Sequence, residues 1–225
     1  MLTQQQVKQK AAEYAARYVQ PGMTIGLGTG STVFFLIHKL AELAKSGLNF
    51  RAVPTSNQTK KMAEELGIPL TTLDDVDVLD LTIDGADEVD PDMQLIKGGG
   101  AALLQEKIVA AAGSQLIIIA DETKMVTQLG AFPLPVEVIT FGWKQVQRKV
   151  LQAGCKEVNL RVKDGQPLVT DHQHYILDCH YGVIENPAAL NTGLHAIPGV
   201  VETGLFINMA TKIITANTDG TIKER

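Results

Sequence analysis

The sequence predicts an α/β fold: a parallel sheet covered on both faces, with a second, smaller α+β unit. Three observations predict it. Short aliphatic runs alternate with helical periodicity through the first half of the chain, the pattern of strands buried between helix layers. That rhythm breaks at Phe132-Pro133-Leu134-Pro135. Beyond the break, two strand–helix alternations with a hairpin between them read as a split-βαβ unit.

The elements follow in order. Thr3 to Val19 reads as a helix, with Thr3 and Gln6 spaced as a capping box and Pro21-Gly22 as its stop. Thr24 to Leu27 is a short apolar strand, and Val33 to Ala44 is helical again. Phe50 to Pro54 reads as a strand. Ser56 is placed as the N-cap of a helix that runs to Leu66 and stops at Gly67. Leu79 to Ile83 is a third buried-type strand. Leu95-Ile96 leads into a glycine run and a helix from about Ala101 to Ala112. Leu116 to Ala120 is a strand, four aliphatic residues followed by an alanine. After the proline break come a helix from Trp143 to Ala153, a strand from Glu157 to Val162, and a turn at Asp164-Gly165. A strand from Tyr175 to Asp178, a helix from Pro187 to His195 and a strand from Val200 to Phe206 follow. Ile213 to Ala216 is a last strand that can return to the first sheet.

Composition narrows the function. The 225 residues are 45% apolar, enough for a sizeable core, and carry a net charge of −5 from 20 basic and 25 acidic residues. No basic stripe or helix-turn-helix appears, so nucleic acid is not an expected partner. No apolar run approaches the ~20 residues of a membrane span. The stretch Met1 to Gln6 lacks the basic-then-apolar pattern of a secretory signal, so a cytoplasmic location is expected. Cys155 and Cys179 have neither metal nor redox spacing and read as reduced, structural thiols. None of the five histidines shows ligand spacing, and no metal site is expected.

Three polar, glycine-bearing loops follow strands, and in open parallel sheets ligands bind beyond the carboxyl ends of the strands. In Gly28-Thr29-Gly30-Ser31-Thr32, glycines allow close approach of an anion, which hydroxyls and helix N-terminal amides can bind. No Walker lysine follows, and Val33 stands where G-x-G-x-x-G needs its third glycine. Alone, this loop reads equally as a tight turn with Ser31 or Thr32 as N-cap.

In Asp84-Gly85-Ala86-Asp87-Glu88, the spacing is wrong for a calcium loop. Asp84 ends an apolar strand, where a buried carboxylate needs a reason. Asp84 and Asp87 are candidates to accept hydrogen bonds from sugar hydroxyls. Glu88, Asp90 and Asp92 read as solvated.

In Lys97-Gly98-Gly99-Gly100, three glycines before a helix carry a backbone-entropy cost that turn geometry alone does not explain. Exposed amides with Lys97 suit a developing oxyanion. Glu106, in the first two turns of the following helix, is then a candidate base for abstracting a proton next to a carbonyl. An ordinary helical Glu beside Lys107 is the alternative. Lys124, after the fourth strand, can serve the same cleft or simply be solvated.

At these residues the sequence resembles the type A ribose-5-phosphate isomerases. The resemblance rests on Gly26 to Thr32, Asp84 to Glu88, Lys97 to Ala102 with Glu106-Lys107, and Ala120-Asp121 with Lys124. It continues through Phe132 to Val138 and Ala196 to Val201. It implies a Rossmann-like catalytic domain, residues 1–130 and 207–225, with an inserted ferredoxin-like domain, residues 131–206. It implies interconversion of ribose 5-phosphate and ribulose 5-phosphate through an enediolate, with no cofactor and no metal. Glu106 is the implied base. Substrate contacts are implied for Thr29, Gly30, Ser31, Thr32, Asp84, Gly85, Ala86, Asp87, Lys97, Gly98, Gly99, Gly100 and Lys124. Asp84, Asp87 and Lys97 are also expected in the chemistry. Lys8 is a further candidate phosphate contact, and Ser56 to Thr59 is assigned no chemistry. The implied partner is a pentose 5-phosphate, and the implied assembly a homodimer. Two other readings stay open: a coenzyme A transferase-like enzyme using Glu106 as a nucleophile, and a non-catalytic sugar-phosphate sensor.

Overall fold

The computed structural model describes residues 1–225. Helix α1 (Gln4–Ala15) ends in a 3-10 turn, strand β1 (Thr24–Leu27) leads to α2 (Ser31–Lys45), and β2 (Arg51–Pro54) leads to α3 (Asn57–Leu66). Strands β3 (Leu81–Asp84), β4 (Glu88–Val89) and β5 (Leu95–Ile96) precede α4 (Leu103–Ala111) and β6 (Leu116–Asp121). Next come β7 (Leu134–Val138), α5 (Trp143–Gln152), β8 (Glu157–Leu160), a hairpin of β9 (Val162–Lys163) and β10 (Gln166–Pro167), and β11 (Tyr175–His180). Then follow α6 (Pro187–His195), β12 (Val200–Thr203), β13 (Leu205–Phe206), β14 (Lys212–Ala216) and β15 (Ile222–Glu224).

The chain divides into two compact units: Met1–Ala86, Gln105–Lys124 and Met209–Arg225 form one, and Asp87–Leu104 with Met125–Asn208 the other. The first is built on a six-stranded sheet in the order β15-β14-β6-β3-β1-β2. All its pairings are parallel except β14 with β15. One face of the sheet presents Ile25, Leu27, Ile83, Ile117, Ile119 and Ile214 to a core shared with α1 and α2. The other face is covered in part by α4. A Cβ on Gly26 would lie 2.6 Å from a Val109 methyl and 2.3 Å from Thr82 Oγ1, so helix and sheet approach too closely there for any side chain. Burial on both faces explains the uninterrupted apolar strands. The expected box at Thr3 and Gln6 caps α1, and Ser56 Oγ accepts from the Thr59 amide to cap α3.

The second unit holds an antiparallel sheet in the order β12-β7-β11-β8. With α5 between β7 and β8, and α6 between β11 and β12, this is the ferredoxin-like arrangement. Its core joins Leu134, Val136, Val138, Val146, Leu177 and Leu194. A second sheet, β13-β5-β4, carries residues 87–104. The sequence reading places that segment in the larger domain. Here it clusters with the smaller unit because β5 pairs with β13 and Ile96 packs beside Leu134 and Leu205.

Three further differences have physical causes. β7 lies inside a sheet although it contains Pro135, which argues against a central strand. The proline sits where β12 pairing has ended, since β12 meets β7 only from Val136 to Val138. The expected strand from Val200 to Phe206 splits at Gly204. A Cβ there would lie 2.3 Å from the Lys97 carbonyl oxygen, so the chain crosses another backbone at that point. Glu88 and Asp90 are buried rather than solvated. Glu88 accepts from the amides of Gly130 (2.7 Å) and Phe132 (2.6 Å), and Asp90 from those of Asp92 and Gln94. No helix is long and apolar enough to cross a membrane.

Candidate active site

Parallel strands β1, β2, β3 and β6 end on one edge of the six-stranded sheet, so the loops that follow them share that edge. Asp84 closes β3 and is 1% exposed. Its Oδ1 accepts from the amides of Thr29 (3.0 Å) and Gly85 (2.7 Å). The first bond ties the β3 loop to the β1 loop. A Cβ on Gly28 would fall 2.2 Å from that same oxygen, so glycine is required for the carboxylate to fit.

The Thr29 side chain turns into a knot of hydroxyls. Its Oγ1 lies 2.7 Å from Thr55 Oγ1, 2.8 Å from Ser56 Oγ and 3.1 Å from Thr59 Oγ1. Thr59 Oγ1 donates in turn to the Gly28 carbonyl at 2.8 Å. All four side chains are buried. Ser56 and Thr59, assigned no chemistry on sequence grounds, therefore hold the β1 loop in shape. Their signal was the cluster of small hydroxyl residues at the end of β2.

Gly30, at φ 111°, turns the chain into α2 without a side-chain cap, and no acidic residue occupies the first turn. An uncapped helix start with free amides attracts an anion. Lys8 Nζ reaches in from α1 and donates to Ser31 Oγ at 2.9 Å. Lys8, Gly30, Ser31, Gln58 and Thr59 are among the residues lining an open cavity of about 520 Å³. Thr32 is the next residue of the same turn and is half-buried.

Glu106 lies in the first turn of α4 and is 5% exposed. The start of that helix is anchored by Gln105 Nε2, which donates to the Pro54 carbonyl at 2.9 Å. Lys124 is half-buried in the 3-10 turn Glu122–Lys124 that follows β6. Asp121 shapes that turn by accepting from the amide and hydroxyl of Thr123.

The glycine run lies in the second unit. Lys97 is 2% exposed, its Nζ is 5.4 Å from the centre of the Phe206 ring, and its amide donates to the Gly204 carbonyl. Gly98, at φ 105°, begins a turn closed by Ala101 N–H donating to Gly98 O at 3.0 Å. Asp87 Oδ2 accepts from the Gly99 amide at 2.8 Å. Asp87 thus braces the glycine turn as well as presenting a carboxylate. The structure joins Thr29 with Asp84, Ser31 with Lys8, and Asp87 with Gly99. Ala86 and Asp87 fall on either side of a crossing between units, as do Leu104 and Gln105. No three His, Cys, Asp or Glu side chains converge as a metal site.

The model of the family ribose 5-phosphate isomerase A (phosphoriboisomerase A) matches residues 51–220. The chain belongs to the ribose 5-phosphate isomerase A family. A ribose-5-phosphate isomerase A of Bacillus mycoides is 55% identical over 97% of this chain and 98% of its own. One from Synechococcus is 52% identical over 98% of this chain and 97% of its own. Among solved structures, ribose 5-phosphate isomerase from Plasmodium falciparum superposes with a TM-score of 0.95 at 40% identity, covering 98% of each chain. A D-ribose-5-phosphate isomerase in complex with phospho-erythronic acid does so with a TM-score of 0.95 at 38% identity, over 100% of this chain and 99% of its own.

Proposed function

We propose that the chain interconverts D-ribose 5-phosphate and D-ribulose 5-phosphate through an enediolate, as a step of the non-oxidative pentose phosphate pathway. The observation that carries this reading is the burial of Glu106 in the first turn of the helix that follows the glycine run. A carboxylate placed out of solvent at that position needs a task. Near-complete coverage by relatives named for this reaction supports the same task.

In the proposed scheme Glu106 takes the proton from C2 of the open-chain aldose. The electron pair moves to the C1 carbonyl, whose oxygen gains a proton as the enediol forms. The O2 proton leaves and Glu106 returns its proton to C1, giving the ketose. C2 is oxidised as C1 is reduced within the one molecule, so no external oxidant or reductant enters the scheme. Lys97 and the Gly98 and Gly100 amides meet the developing oxyanion. Asp84 and Asp87 orient hydroxyls and carry protons between O1 and O2. The turn Thr29–Thr32 at the start of α2 holds the phosphate, with charge from Lys8 and Lys124, and this remote grip positions the reacting carbons. Phospho-erythronic acid, the ligand of one solved relative, is a phosphorylated acid whose planar carboxylate resembles an enediolate in shape and charge. The family likeness also supports a cytoplasmic homodimer.

A coupled assay for ribulose 5-phosphate tests the activity. Glu106→Gln keeps the shape and removes the base. Turnover is expected to fall by roughly 10²–10⁴-fold or more, with KM little changed. Near-normal turnover in that variant would overturn the assignment.

A further inference from the structure

One side chain outside the motifs grips the glycine run. Arg161, the residue after β8, donates through Nη1 to the carbonyl of Gly98 at 2.7 Å and to that of Gly99 at 3.2 Å. Its other edge is engaged by Asp178 on the neighbouring strand β11, with Nε 3.0 Å from Oδ2 and Nη2 bonded to Oδ1. The side chains are only 13% and 21% exposed. Leu177 and Cys179, the chain neighbours of Asp178, point into the core of this unit. Asp178 alternates to the opposite face of the sheet, away from that core.

We propose that Arg161 is a positioning residue for the isomerase reaction, aligning and polarising the peptides of the glycine turn, with Asp178 holding it in place. The proposal rests on the reading of that turn as the oxyanion site. Two peptide units carry the effect. Arg161 holds Gly98 O, and the amide of the same peptide, on Gly99, donates to Asp87. Arg161 also holds Gly99 O, and the amide of that peptide belongs to Gly100. The Gly98–Gly99 peptide is therefore fixed between a cation and an anion. The Gly99–Gly100 peptide has the cation at its oxygen, and its N–H is left to meet the substrate oxygen. A positive charge behind a peptide strengthens its N–H as a donor, as hydrogen bonds in a chain polarise one another.

Glycines supply no side chain to stiffen the turn and lose the most freedom when it is ordered, so an external brace is required. A guanidinium suits the task because one edge of its planar fork pairs with both Asp178 oxygens while Nη1 reaches the two carbonyls, whereas an ammonium is a point donor without such an edge.

The test measures kcat and KM for ribose 5-phosphate and inhibition by phospho-erythronic acid. Arg161→Ala is expected to lower kcat by roughly 10²-fold, the scale of one oxyanion donor, with KM within about threefold and inhibition weakened in step with kcat. Added guanidinium should restore part of that kcat without raising the wild-type rate. Arg161→Lys, which keeps the charge and most of the bulk, should lose about tenfold in kcat with an unchanged melting temperature. Asp178→Asn should lose a similar factor. A folded Ala or Lys variant with wild-type kcat would overturn the proposal, as would a loss confined to KM or an Ala variant that guanidinium does not rescue. An inactive wild-type chain, or an active Glu106→Gln variant, would instead overturn the underlying isomerase reading.

Discussion

At residue scale, small side chains decide how the polar ones stand. Gly28 is required because Asp84 fills the space of its missing Cβ, and Asp84 uses one oxygen to bind the Thr29 and Gly85 amides. Gly28→Ala would push a methyl to within 2.7 Å of the Asp84 Cα as well, so backbone and not merely a rotamer must move. Overpacking of this kind costs roughly 1–3 kcal/mol. For a chain this long each kcal/mol lowers Tm by about 2–4 °C. Calorimetry should show that fall, and kcat/KM should drop by an order of magnitude or more because two loops lose their register. Unchanged Tm and activity would mean that the tie between β1 and β3 is dispensable.

At element scale, much of the architecture was legible because hydrophobic period and capping agreed. β1 and α6 fall on the residues that patterning assigns, and β14 returns to the first sheet beside β6. Elsewhere tertiary contacts outweighed local preference. β7 was hidden by two prolines that matter only if a neighbour needs their missing amides. β15, reached through Asp219-Gly220, is a short edge strand with no apolar alternation to reveal it. The candidate site was legible where telling residue types cluster along one stretch of sequence, as at Asp84 to Asp87 and in the glycine run. It was illegible where they act across the fold. Thr59 touches Gly28, 31 residues away, and Arg161 touches Gly98, 63 residues away. Only the folded sheets bring such pairs together. Thr59→Val tests the cross-strand knot. It removes the donor to the Gly28 carbonyl while keeping the shape of the side chain, at a cost of roughly 1–3 kcal/mol for the buried carbonyl left behind. Thermal melts should report that loss, and KM for the sugar phosphate should rise, since the β1 loop would lose its support.

At the scale of the whole molecule, the last residues tie back to the first. The Glu224 carboxylate accepts from Lys212 Nζ at 2.8 Å and from the hydroxyls of Tyr14 and Tyr18. The Lys212 hydrogen bond first, then those of the two tyrosines, hold its pKa down to about 2 from an ordinary 4.5. A carboxyl lowered in the folded state stabilises it fully above its ordinary pKa and loses that contribution as pH falls from about 4.5 toward 2. Glu224→Gln should therefore unfold at lower urea concentration than wild type at pH 7, and the gap should close by pH 2. A gap independent of pH would show that the charge is not what matters.

The strand order has a further consequence for how the chain is made. β6, the most continuous apolar strand, pairs with β3 on one side and with β14 on the other. About 90 residues separate β6 from β14 in sequence. At ~5–20 residues per second, a ribosome takes on the order of 5–20 s to supply them. Throughout that interval an edge of Leu116-Ile117-Ile118-Ile119 has no native partner, the condition under which strands pair with other chains. The smaller unit, by contrast, has all of its strands once Phe206 is translated. The catalytic sheet is thus begun first and closed last, and chaperone demand during synthesis should centre on that one waiting edge.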